Sequence, residues 1–131
     1  MLIDYTPYAL IVDDDPIIRL HASDILQDAG FRVHEASGVD EALKIFKQAG
    51  SSILLLVTDV HMPPGTKAGF ELARQCAADW PGINIMVVSG VATPEDADLP
   101  PGAVFVPKPF TADVVYNRLQ QLLAEVKNQK H

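Results

Sequence analysis

The 131 residues are 48% hydrophobic and 21% charged, ordinary values for one packed domain that buries a core without staples. One cysteine, Cys76, excludes an internal disulfide and suits a reducing cytoplasm. A net charge of −7 and a pI near 4.8 argue against nucleic acid as a direct partner, and apolar runs such as residues 53–57 and 85–88, none longer than about five residues, are too short for membrane insertion.

Short apolar runs alternate with helical patterns along the chain. Residues 8–13 read as a first strand. Residues 16–29 read as a helix, with Ile18, Ala22, Ile25 and Ala29 at helical spacing. Asp15 fits its N-cap, Pro16 its first position and Gly30 its stop. Residues 31–36 are a second strand. Ser37 is placed to cap a second helix, whose inner face is Val39, Ala42, Leu43 and Phe46 and which Gly50 ends. Residues 53–59 form a third strand without alternation, the pattern of a strand buried on both faces of a parallel sheet. A loop with Pro63, Pro64 and Gly65 leads to a third helix near residues 69–78. Residues 83–89 are a fourth strand. Thr93 and Pro94 open a short fourth helix that Pro100 and Pro101 must end. Residues 103–107 are a fifth strand, and Thr111 caps a last helix with Val115, Leu119, Leu122 and Val126 facing inward.

This (βα)5 alternation predicts a doubly wound parallel sheet, order 2-1-3-4-5, with right-handed crossovers and helices on both faces. Ligands bind such sheets beyond the carboxyl ends of strands 1 and 3, where the winding reverses. The polar residues sit at that edge. Strand 1 ends in Asp13, Asp14 and Asp15, strand 3 in Asp59 and strand 4 in Ser89, and Lys108 follows strand 5. Converging carboxylates repel one another, and a hard divalent cation relieves the repulsion. Oxygen ligands favour Mg2+, and no Cys/His spacing supports zinc. A cation, a lysine and a hydroxyl can hold a phosphoryl group while a carboxylate acts as nucleophile.

The stretches LIVDDDP, LLVTDVHMP, IMVVSG and VFVPKPF resemble, in order, the four signature segments of response-regulator receiver domains, and the likeness runs over about residues 8–126. The resemblance implies a flavodoxin-like, three-layer α/β sandwich and a single receiver domain over residues 1–131. It implies that Asp59 is the phospho-acceptor. Asp14 would ligate Mg2+ directly, with Mn2+ as a substitute, Asp13 would act through water, and His61 would give its backbone carbonyl. Ser89 resembles the switch hydroxyl and Lys108 the phosphoryl-binding lysine. Phe105 resembles the aromatic switch, and Lys108–Pro109 is expected to be a cis peptide. A sensor histidine kinase or histidine phosphotransfer protein would donate the phosphoryl group, and an unknown downstream protein would read the result.

Plainer readings stand beside these. Asp15 is read as a helix cap alone, His21 and His34 as surface or helix-face residues, and Cys76 as a small core residue. The His61 ring is set aside as an Mg2+ ligand and placed at the fringe of the site. Phe105 has a purely packing role as its alternative, and Lys67 a solvated one. Against the family pattern, the loop after Asp59 is longer and the stretch between Ser89 and Lys108 is shorter. A short or irregular fourth helix therefore leaves dimerisation through that face open. No secretory signal is visible at the N-terminus, and no output domain is expected after the last helix. The domain is thus read as cytoplasmic, either stand-alone or excised from a hybrid kinase. The rival functions are an aspartyl-phosphate-type phosphatase and an unphosphorylated receiver-like scaffold. The phosphatase lacks its usual second acid, since Val60 and His61 follow Asp59.

Overall fold

Local signals set most element ends. The computed structural model describes residues 6–62, 67–90 and 99–129, with side chains to Leu122. β1 (Tyr8–Val12) passes through an acidic turn into α1 (Pro16–Asp28). The Asp15 carboxylate accepts from the N–H groups of Ile17 and Ile18, satisfying donors that the first helical turn leaves without partners. Gly30, at a φ of 102°, supplies the left-handed conformation that turns the chain out of the helix. There follow β2 (Arg32–Ala36), α2 (Val39–Ala49), a 3-10 turn (Gly50–Ser52), β3 (Ile53–Asp59), α3 (Ala68–Asp79), β4 (Asn84–Ser89), β5 (Val104–Pro107) and α4 (Ala112–Gln129). Thr111 does cap α4, through its hydroxyl to the Val114 N–H at 3.4 Å. The short helix expected after Thr93 falls on residues 91–98, outside the described residues, and the inward placement of Val126 concerns a side chain beyond those described.

All neighbouring strands pair in parallel, in the order β2-β1-β3-β4-β5. Successive strand residues point to opposite faces, and this divides the core in two. On one face Leu10, Val12, Leu56 and Val87 pack under Ala42 and Phe46 of α2 and Phe70, Leu72 and Cys76 of α3. On the other, Ala9, Ile11, Val57, Met86 and Val106 meet Ala22, Ile25 and Leu26 of α1 and Val115, Leu119 and Leu122 of α4. Helices thus cover both faces of the sheet, the three-layer α/β sandwich that the alternation predicts.

Two local expectations are corrected. Ala29 is exposed, because α1 ends at Asp28 and Ala29 sits at the cap; the inner face is Ala22, Ser23, Ile25 and Leu26. Ser37 does not cap α2. Gly38, in extended backbone, is the N-cap, and the Ser37 hydroxyl one residue earlier donates to Glu41 Oε2 at 3.2 Å.

Candidate functional site

Register brings the polar residues together. Val12 lies beside both Ala36 and Thr58, so Asp13 and Asp59 leave adjacent strands side by side. Asp59 lies beside Val88, and Ser89 beside Pro107. Lys108 is therefore the next residue along that row, and its N–H donates to the Ser89 carbonyl at 2.9 Å. The following peptide, Lys108–Pro109, is cis.

Asp13 is buried and held at every polar group. Its N–H donates to the Ala36 carbonyl at 3.1 Å, and its carbonyl accepts from Arg19 Nη1 at 2.8 Å. Its Oδ1 accepts from the Asp15 N–H at 2.9 Å, and its Oδ2 accepts from Lys108 Nζ at 2.9 Å. Asp59 is also buried. Its Oδ1 accepts from the Val60 N–H at 2.9 Å and faces Lys108 Nζ at 3.3 Å. Its backbone carbonyl accepts from the buried Thr58 hydroxyl. Asp14 is exposed, and one carboxylate oxygen from each of the three acids lies within 4.8 Å of the others.

One ammonium contacts two of the three clustered carboxylates, those of Asp13 and Asp59. Burial pushes the Asp59 carboxyl above its usual value, and the Asp13 charge adds to the shift; Lys108 and the Val60 N–H pull part of it back. Burial alone would pull Lys108 down, but the hydrogen bond and charge of Asp13, with the charge of Asp59, raise it overall. The ammonium therefore stays charged at neutral pH. The surplus of negative charge and the all-oxygen donor set fit a divalent cation of the Mg2+ type. A lysine beside two carboxylates also supplies a cation where the oxygens of a bound phosphoryl group would gather charge.

The remaining site candidates lie around this cluster. Ser89 is buried at the end of β4. Phe105 is half-buried and packs on the Leu10–Val12 face of the core. His61 is half-buried, and its Nε2 is buried with no hydrogen-bond partner among the described residues. His34 stacks on Tyr8 at 4.5 Å between ring centroids, and His21 stacks on Phe110 at 5.3 Å.

Four supports have no signature in the sequence. Thr58 and Arg19 hold backbone carbonyls of the site's acids, and Glu35 holds Arg19 in turn. Gly69 is the tightest: its N–H donates to the Val60 carbonyl at 3.0 Å, and a Cβ there would lie 1.8 Å from the Asp59 carbonyl oxygen. A glycine at a helix start reads only as a boundary, so its packing role was hidden.

Residues 9–120 match the family described as response regulator receiver domain. The sensor kinase CckA of Brucella abortus (strain 2308) is 35% identical over 119 residues, which cover 87% of this chain and 12% of that protein. The response regulator receiver protein CpdR of the same strain is 31% identical over 117 residues, covering 87% of this chain and 94% of that protein. A solved response regulator receiver protein from Sinorhizobium medicae WSM419 superposes with a TM-score of 0.80 at 31% identity, covering 91% of this chain and 95% of the other. The chain thus spans a small part of the kinase and nearly the whole of CpdR. Among the described residues no helix is long and apolar enough to cross a membrane.

Proposed function

The chain belongs to the response regulator receiver domain family of two-component signal transduction, and on that premise we propose that Asp59 accepts a phosphoryl group in a Mg2+-dependent step. A receiver domain is a phosphoryl acceptor rather than an independent enzyme. The observation that carries the reading is the cluster of Asp13, Asp14 and Asp59 at the carboxyl edge of β1 and β3, with the Lys108 ammonium on Asp13 and Asp59.

The donor is a phosphohistidine on a sensor histidine kinase or a histidine phosphotransfer protein. Asp59 Oδ1 is engaged by Val60 and Lys108, so Oδ2 is the oxygen that attacks phosphorus. The O–P bond forms as the P–N bond breaks, and the electron pair stays on the donor imidazole. By the family resemblance, Asp14 and Asp59 would hold the cation directly, Asp13 would act through water, and the His61 backbone carbonyl would complete the protein donors. When bound, Mg2+ neutralises charge on the phosphoryl oxygens. Each Asp13 carboxylate oxygen already accepts a hydrogen bond, from the Asp15 N–H and from Lys108, which accords with an outer role. Lys108 moves from Asp59 to a phosphoryl oxygen, and the Ser89 hydroxyl donates to another. Movement of Ser89 then frees space into which the Phe105 ring packs more deeply. That shift biases a two-state equilibrium read by a downstream protein.

The test is incubation with Mg2+ and acetyl phosphate, followed by intact mass. One labile phosphate is expected, absent in Asp59→Asn and absent with EDTA. Phosphate release over many turnovers would instead indicate a phosphatase, and no adduct from acetyl phosphate or from a phosphorylated kinase would indicate a scaffold.

A further inference from the structure

The acidic loop is held from outside the site. Arg19 of α1 donates through Nη1 to the Asp13 carbonyl at 2.8 Å, and through Nε to Glu35 Oε1 of β2 at 3.1 Å. The guanidinium thus ties three segments together: the end of β1, the first turns of α1 and the edge strand β2. Its fork geometry lets one side chain hold a carbonyl and a carboxylate at once.

The bonded carbonyl belongs to the Asp13–Asp14 peptide. Fixing that oxygen fixes the peptide plane, and with it the direction in which Asp14 leaves the backbone. Neither of the other anchors does this. The Asp13 N–H bond to Ala36 fixes the preceding peptide, and the Asp15 N–H bond to Asp13 Oδ1 closes the turn on its far side. Asp14 itself is exposed. Its aim therefore depends on the peptide that Arg19 holds.

Glu35 keeps about half of its side chain exposed, and Arg19 about a fifth. Ion pairs this open add little to stability. We propose that Arg19, braced by Glu35, is a positioning residue that aims Asp14 at the divalent cation; the proposal rests on the Mg2+ site assigned above. Its sign is distinctive. A guanidinium near a cation site repels the cation through space, so losing its charge alone would tighten Mg2+ binding. Losing its grip on the peptide weakens binding, in the way that partners which orient metal ligands do.

Mg2+ binding to the metal-free full chain, measured by titration calorimetry without any phosphodonor, separates the two. Arg19→Ala is expected to weaken Mg2+ binding by about tenfold. Arg19→Lys is expected to recover only part of this, because an ammonium lacks the fork, and Glu35→Gln to fall between wild type and Arg19→Ala. Urea midpoints report whether a variant folds; if Arg19→Ala does not, Arg19→Lys, which keeps the charge and loses the fork, carries the test. Binding unchanged within about twofold, or tighter binding, in folded variants overturns the proposal. Absence of Mg2+ binding in the wild-type chain would overturn the metal site itself, a different result from unchanged binding in the variants.

Discussion

At the scale of single residues, the site is in tension with the fold that holds it. Burial and the Asp13 charge raise the Asp59 carboxyl above 3.8, its ordinary value. A group whose folded pKa is raised favours folding while protonated, and that contribution is lost as pH rises through the folded value. Asp59→Asn is therefore expected to raise the Tm of the metal-free protein at neutral pH by a few degrees, with the gain fading as pH falls through the raised folded value and gone by about pH 3.8, the unfolded chain's value. Calorimetry of both proteins across pH in EDTA checks this; an unchanged or lower Tm at pH 7 would contradict it. Gly69→Ala acts through space rather than charge. Its methyl would meet the Asp59 carbonyl oxygen at 1.8 Å, so β3 and α3 must separate at the acceptor. A destabilisation of about 1–3 kcal/mol in urea is expected, with slowed phosphorylation. Asp13, Asp14, Asp59 and Lys108 were legible as letters, because each polar residue interrupts or follows an apolar run. Gly69, Thr58 and Arg19 were not, because their roles are contacts with particular backbone atoms, which residue type and apolar pattern do not mark.

At the scale of elements, capping separates signals that matter from ones that merely fit. Asp15 satisfies two N–H groups of α1, and Asp15→Ala is expected to cost about 1 kcal/mol in urea denaturation. Ser37 looks like an equally good cap in the sequence, yet Gly38 occupies the cap and Ser37 reaches only the Glu41 side chain. Ser37→Ala is expected to change stability by less than about 0.5 kcal/mol. The two differ because a cap depends on which residue adopts extended backbone, a matter of one position that residue type alone does not decide. In α3, Cys76 is fully buried, and burial with the nearby Asp79 charge pushes its thiol up to about 12. It is expected to resist thiol reagents in the native protein and to react on unfolding, which a kinetic alkylation assay followed by mass would show.

At the scale of the whole molecule, the sheet edge gathers three carboxylates into a site compatible with a divalent cation. A ligand that binds only the folded state stabilises by mass action, by about 2.7 kcal/mol at a hundredfold its Kd. Mg2+ is expected to raise the wild-type Tm, and Asp14→Asn is expected to keep the fold while losing most of that rise; thermal melts with Mg2+ and with EDTA measure both. The amino-acid order by itself determined the alternation of strands and helices, the parallel sheet, its winding and the list of polar residues at its edge, because hydrophobic period and strand-end position are properties of neighbours in the chain. Only the tertiary structure decided how those residues divide their work. Asp13 has both carboxylate oxygens engaged while Asp14 stands exposed beside it, and an arginine and a glycine from other segments hold the acids' backbone in place. Those facts come from distances across 95 residues of chain for Lys108 and Asp13, and from packing at Gly69, which local pattern does not encode.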